Sequence, residues 1–219
     1  MNFTEYNVND KNLEEILLAL KSLDAVEAVA LGGSRSTGEA DENSDYDIYV
    51  YCSEIPTGKT RENLLGKYCS VAEFGNHYWE SEDNTVMNNG TPVDIIYREI
   101  DRFGGYIDTV IKGGKAFNGY TTAFWHNIRN SKVLFDKTGT FTKFRDMAQI
   151  DYPENLRRAI IKNNRSLLSG KLPSYDRQIK KMQERGDIVS VNHRITAFLE
   201  SYFDVIFAPV SYTHLRAHE

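Results

Sequence analysis

Only two cysteines, Cys52 and Cys69, occur in the 219 residues of this chain. Two thiols cannot build a disulfide framework and their spacing matches no zinc pattern, so both read as reduced, partly buried side chains outside any mechanism. Long hydrophobic runs are missing as well: nothing approaches the roughly 20 apolar residues that span a bilayer. The amino terminus, MNFTEYNVNDKNLEEILLAL, places acids ahead of its apolar stretch and has neither a basic leader nor a small-residue cleavage site. It is not a secretory signal on these grounds, and the expected location is the cytoplasm. Positive charge is in deficit, with 26 Lys and Arg against 31 Asp and Glu and a net charge of -5. No basic face advertises itself to a polyanion, which disfavours nucleic acid as a partner. No Ser-His-Asp or Cys-His set stands out, and there is no internal repeat or low-complexity tract.

What remains is an ordinary globular composition, 41% hydrophobic and 26% charged, in a chain long enough for two small domains. Asn9 can cap a helix in which Leu13, Ile16, Leu17 and Leu20 recur at helical spacing, and residues 26–31 then read as a strand. A second strand is expected at residues 46–51, closed by Pro56 and Gly58, and a helix over 60–72. FGNHYWE, NTVM and TPVDIIYR read as strands, with an Asn89-Gly90 hairpin turn before the last. Beyond about residue 98 the periodicity becomes helical, with helices expected at 98–112, 121–130, 140–149, 153–169, 174–185 and 188–208; KVLFD at 132–136 is the exception. Strand-rich then helix-rich order predicts an α+β fold: a mixed sheet with flanking helices over residues 1–100, followed by a helical, bundle-like domain over 101–209.

The last ten residues, VSYTHLRAHE, resemble the in-frame translation of a transposase adapter used in sequencing libraries. Residues 210–219 are therefore expected to be non-native, with the natural sequence cut off near Pro209. In the helix before them, Ile188, Val191, Ile195, Phe198, Leu199, Tyr202 and Ile206 form a stripe while Phe203, Val205 and Phe207 lie elsewhere, so a neighbouring element is expected to be missing.

The informative segment runs from Leu31 through Gly-Gly-Ser-Arg-Ser-Thr-Gly to Asp45-Tyr46-Asp47, with ten residues from Arg35 to Ser44 between the GGS turn and the acidic pair. Gly32 and Gly33 let the backbone approach a ligand closely, and Ser34 offers a hydroxyl and amides to phosphate oxygens. Arg35 can add a forked cationic contact to the same phosphates, or form a surface salt bridge. Side chains alternate along a strand, so Asp45 and Asp47 face one side with Tyr46 turned away. Two carboxylates so close call for a divalent cation between them or a proton on one, and magnesium suits an all-oxygen site shared with phosphates. Asp94 interrupts the apolar strand Val93, Ile95, Ile96, Tyr97, where a lone buried charge wants a metal or a partner. Beside the Asp45 strand it would complete a second metal site and could accept a proton.

This pattern resembles the polymerase-beta nucleotidyltransferase superfamily, in which a hydrophobic residue, Gly, and Gly or Ser precede a spacer and an acidic pair flanking a hydrophobic residue. The wider run, including DENSDYDIYVY, GTPVDIIYR and GDIVSVNHRITAFLESYFD, is similar to bacterial stand-alone nucleotidyltransferase-domain proteins of unassigned substrate. The resemblance implies a nucleoside triphosphate donor, two Mg2+ (or Mn2+) ions on Asp45, Asp47 and Asp94, and a triphosphate held by Gly33 and Ser34. It also implies pyrophosphate release and transfer to a small-molecule or protein acceptor. In aminoglycoside-type relatives the helical domain can supply a carboxylate base; Glu200 is a candidate for that role here. Two other readings exist: a nucleotide-binding regulator or antitoxin-type partner, and a DxD glycosyltransferase, which leaves the GGS turn unexplained. His77, Tyr78 and Trp79 can line a base or acceptor pocket and Trp125 and His126 a cleft, but all five are expected to pack a core; Arg158, Lys162 and Arg165 can steer an anion, but are expected to form a solvated face.

Overall fold

The computed structural model describes residues 10–170 and 173–211. Asn9 and residues 212–219, with most of the expected adapter segment, lie outside them. The first helix, α1 (Lys11–Lys21), is capped by Asp10, whose carboxylate accepts the N–H groups of Asn12 at 2.9 Å and Leu13 at 3.4 Å. A carboxylate there offsets two of the orphaned donors of the first turn, and Leu13, Ile16, Leu17 and Leu20 form the buried stripe.

Strand β1 (Val26–Leu31) leads into the short helix α2 (Gly33–Thr37), then β2 (Tyr46–Cys52) and α3 (Gly58–Leu65). The helix expected over 60–72 stops at Leu65: a single 3-10 turn over Gly66–Tyr68 follows, and β3 (Cys69–Asn76) begins directly after it. Gly66 weakens the helix locally, and pairing of Cys69, Val71 and Ala72 with β4 (Ser81–Met87) provides ladder hydrogen bonds that local helical preference cannot match. The turn at Asn89-Gly90 is present, with Gly90 at φ 88°, and joins β4 to β5 (Pro92–Glu99) as an antiparallel hairpin. The helices that follow are α4 (Ile100–Ile111), α5 (Ala123–Asn130), α6 (Thr140–Ala148), α7 (Glu154–Leu168), α8 (Tyr175–Glu184) and α9 (Ile188–Phe207), with β6 (Lys132–Asp136) between α5 and α6.

The six strands form one mixed sheet in the order β3-β4-β5-β2-β1-β6. Only β2 and β5 run parallel; the other neighbours are antiparallel. Ile48, Val50 and Cys52 of β2 and Val93, Ile95 and Tyr97 of β5 point to one face, where they join α1 and Leu65 of α3 in the main core. Within that same layer Arg61 and Asp83 form an ion pair at 3.3 Å, almost wholly shielded from water. The alternate residues of β2 and β5 point to the opposite face, where Tyr51 packs on Phe103 and Phe141.

The chain forms two compact units. The first runs to Gly105 and takes up Asn127–Gln149 again, because β6 pairs with β1 and closes that edge of the sheet. The single cut expected after residue 100 sits near the first crossing, and the chain then crosses twice more. The second unit comprises Tyr106–His126 and the residues from Ile150 onward, and in it α7, α8 and α9 pack together as a helical layer. Asn164 of α7 is fully buried there and donates to the carbonyl of Phe117 and the carboxylate of Asp204. Ile188, Ile195, Leu199, Tyr202 and Ile206 of α9 remain exposed. Among the described residues no helix is long and apolar enough to cross a membrane.

Candidate functional site

Where β1 ends, the backbone turns through Gly32 and Gly33 directly over the start of β2. The Gly32 N–H donates to the carbonyl of Asp47 at 2.9 Å, tying the turn to the strand. A side chain on Gly32 would strike the ring of Tyr49, and one on Gly33 would overlap the carboxylate of Asp47. Gly33 also adopts φ 58°, a left-handed conformation that L side chains avoid. These glycines are thus required by close approach to the very strand that carries the acids. Ser34 is half-buried in the first turn of α2, and the Ser36 hydroxyl closes that turn onto the Gly33 carbonyl at 2.8 Å.

Arg35 lies on the inner side of the spacer. Its Nε donates to the carbonyls of Asp45 at 2.8 Å and Ser44 at 3.1 Å, and its guanidinium lies 4.1 Å from the centre of the Tyr46 ring. Those contacts place it as the clamp on the loop that carries Asp45, a use the sequence did not suggest.

Asp47 and Asp94 are direct neighbours across the parallel β2–β5 ladder. Residues in register on adjacent strands project from the same face, so the two carboxylates stand side by side. Asp45 precedes the first residue of β2 and is half-buried, as are Asp47 and Asp94. The Asp94 carboxylate accepts the Asn84 amide at 2.8 Å, from the strand on its other side. Among the described residues no three His, Cys, Asp or Glu side chains are gathered at one point, so a cation here would rest on one or two carboxylates together with substrate phosphates. No lysine or arginine pairs with Asp45 or Asp94 either.

Farther along the same face, Arg98 is buried and forks onto Glu80 at 2.8 and 2.6 Å while lying 4.5 Å from the Tyr49 ring centre. Burial raises the Tyr49 phenol above its ordinary pKa, with Arg98 opposing the rise. The row Asp47, Asp94, Asn84 and Glu73 continues across four strands in register, with Glu82 two residues from Asn84 on the same face. Sequence reasoning missed Asn84, Glu82 and Asn76. Residues 81–85 of β4 are all polar, so no alternation marks Glu82 and Asn84, and Asn76 ends β3; they acquire meaning only once β4 is known to lie between β3 and Asp94.

Of the aromatic residues expected in the core, Trp125 is fully buried and meets Tyr152 edge-on at 5.3 Å. His77, Tyr78 and Trp79 are instead exposed, because residues 77–80 form the loop between β3 and β4 and not part of a strand. Arg158, Lys162 and Arg165 form a solvated face, as expected, with Arg158 held to Glu154 at 2.8 Å. Glu200 lies in the second unit, its Cβ and backbone against Gly119. The neighbouring Tyr120 has φ 51°, and the half-buried Asp204 accepts the Thr121 N–H at 3.3 Å. Burial raises the Asp204 carboxyl above the usual range, against the hydrogen bonds from Thr121.

Residues 13–117 match the family described as Nucleotidyltransferase domain, and residues 122–211 match a family described as Domain of unknown function (DUF4037). No curated protein matches the chain. Among solved structures, it is similar to a nucleotidyltransferase-like protein from Exiguobacterium sibiricum 255-15, with 8% identity and a TM-score of 0.46 over 94% of this chain. The chain spans 59% of the length of that protein.

Proposed function

We propose that this chain, whose residues 13–117 match the family described as Nucleotidyltransferase domain, is a polymerase-beta-like nucleotidyltransferase that moves a nucleoside monophosphate from a nucleoside triphosphate to a small-molecule or protein acceptor. The observation that carries this reading is the in-register pair Asp47 and Asp94, set against the Gly33 turn. Asp45, Asp47 and Asp94 would hold the divalent cations, Mg2+ or Mn2+. They are oxygen donors, which such ions prefer, and neither Asp45 nor Asp94 is neutralised by an ion pair among the described residues. Bound there, the ions would supply positive charge that acidifies the acceptor and stabilises the departing phosphates.

The protein's own part is positioning. The tight turn at Gly32, Gly33 and Ser34 lets the triphosphate approach the backbone, and Arg35 holds the Asp45 loop against the start of β2. An acceptor oxygen forms the new bond to the α-phosphorus as the bridging bond to the β-phosphate breaks. Pyrophosphate leaves with that bond's electron pair, and the acceptor's proton passes to Asp94.

The test is pyrophosphate release by the full chain with each of the four nucleoside triphosphates, Mg2+ and a panel of hydroxyl-bearing small molecules and proteins. Release should fall by about a hundredfold or more in Asp47→Asn and in Asp94→Asn, with unchanged circular dichroism. Full release by either variant overturns the assignment.

A further inference from the structure

Gly32 is not required by its own backbone. Its φ of -113° is one that any residue adopts, so what bars a side chain there is the Tyr49 ring, which an added methyl would overlap. Asp47, Tyr49 and Tyr51 alternate onto one face of β2, and the parallel pairing sets Asp94, Ile96 and Arg98 beside them on β5. Tyr49 therefore lies one step behind the acids, against the turn that opens α2. That turn is tied to β2 by the Gly32 N–H on the Asp47 carbonyl, and it rests on the Tyr49 ring.

The ring is itself held in place. Tyr49 is only 9% exposed, and the Asn127 side chain of α5 hydrogen-bonds its hydroxyl. The Arg98 guanidinium lies 4.5 Å from the centre of the Tyr49 ring and 5.1 Å from that of Phe103. Beyond its fork onto Glu80, Arg98 donates to the Tyr51 hydroxyl at 3.4 Å and to the Asn127 side-chain oxygen at 3.5 Å. Desolvation offsets much of the attraction in a buried fork of this kind, so its main effect is to fix one geometry. The geometry fixed here is that of the ring beneath the turn.

We propose that Tyr49 is a positioning residue for the triphosphate: its ring, locked by Arg98, Glu80 and Asn127, is the floor that sets the height of the Gly32, Gly33 and Ser34 turn over the Asp47 strand. Tyr49 acts through the backbone of the turn and touches no reacting atom. Its consequence for the triphosphate rests on the nucleotidyl-transfer reading; its support of the turn does not.

The experiment compares the full wild-type chain with Tyr49→Leu, which removes the aromatic floor, and Tyr49→Phe, which keeps it and loses only the hydroxyl. Hydrogen exchange, without nucleotide, reads the amides of Gly32 and Ser36, which donate to the Asp47 and Gly32 carbonyls. Calorimetry reads binding of each of the four nucleoside triphosphates in saturating Mg2+. In Tyr49→Leu the two amides should exchange about tenfold faster while those of β1 stay protected, and the triphosphate should bind about tenfold more weakly. Tyr49→Phe should stay within about threefold of wild type in both measurements. Glu80→Gln, which loosens the Arg98 fork from a half-buried loop position, should shift both in the same direction as Tyr49→Leu, and it decides the matter if Tyr49→Leu does not fold. Unchanged exchange at Gly32 and Ser36 in the folded variants, or equal losses in Tyr49→Phe and Tyr49→Leu, overturns the floor. A wild-type chain that binds none of the triphosphates sinks the nucleotidyl-transfer reading instead, and the exchange comparison still decides the support of the turn.

Discussion

A methyl group placed on Gly33 would occupy the space taken by the Asp47 carboxylate. The turn between β1 and α2 is therefore shaped around one acid, and the two cannot be altered independently. Gly38, at the other end of α2, shares the left-handed backbone with φ 82° but has open space where a side chain would go.

That contrast yields a paired prediction. Gly33→Ala and Gly38→Ala should each lose about 1–2 kcal/mol to backbone strain. Only Gly33→Ala should also displace Asp47 and lower nucleotidyl transfer, by about a hundredfold. Thermal denaturation and pyrophosphate release, measured on both variants, separate strain from displacement; equal activity in the two would contradict the shaping role of Gly33.

Arg35 holds two carbonyls and stacks on Tyr46, a combination that a planar guanidinium allows and an ammonium does not. Arg35→Lys should slow transfer roughly tenfold, equivalent to one charge-assisted hydrogen bond of about 1.5 kcal/mol. Hydrogen exchange at Asp45 should quicken in this variant while the amides of β2 stay protected. An unchanged exchange rate at Asp45 would show that the clamp is dispensable.

The Arg61–Asp83 pair is a different matter, since it lies in the core on the face of the sheet opposite Asp47 and Asp94. Arg61 Nε and the second Asp83 oxygen have no partners, so the pair is only partly satisfied, and Arg61 also lies 4.4 Å from the Tyr97 ring centre. Arg61→Met alone should cost about 3–5 kcal/mol by stranding a buried carboxylate. Adding Asp83→Leu should recover at least half of that loss, as read from urea denaturation of the single and double variants.

In the second unit, burial raises the Asp204 carboxyl above its ordinary value of 3.8. The folded state then binds this proton more tightly than the unfolded chain, so the contribution is largest below pH 3.8 and is lost as pH rises through the folded pKa. Relative to Asp204→Asn, the wild-type chain should gain stability as pH falls from neutral toward that value. Urea denaturation of both proteins across this range measures the difference; a constant gap would mean that Asp204 titrates normally.

Much of this architecture was legible because it rests on local patterns. The stripe Leu13, Ile16, Leu17, Leu20 is a helix in any context that buries it, and Asn89-Gly90 turns a hairpin through Gly90 alone. The face taken by Asp47 was legible for the same reason, since alternation along a strand is local, whereas Asp45 falls just before β2 begins. The helix boundary after Leu65 was not, because residues 69–72 are compatible with either state until β4 offers them a ladder. Trp79 reads as core by residue type, yet the loop between two paired strands leaves it in water.

By itself the sequence determined which chemistry is present: a glycine turn able to approach β2, one carboxylate on that strand with another just before it, and a third on a later apolar strand. Tertiary structure decided which groups meet. The parallel pairing of β2 with β5 sets Asp94 beside Asp47, and the antiparallel pairing of β4 brings Asn84 and Glu82 to the same face. Register between strands arises from contacts distant along the chain, and a slip of one residue would turn every one of these side chains to the opposite face.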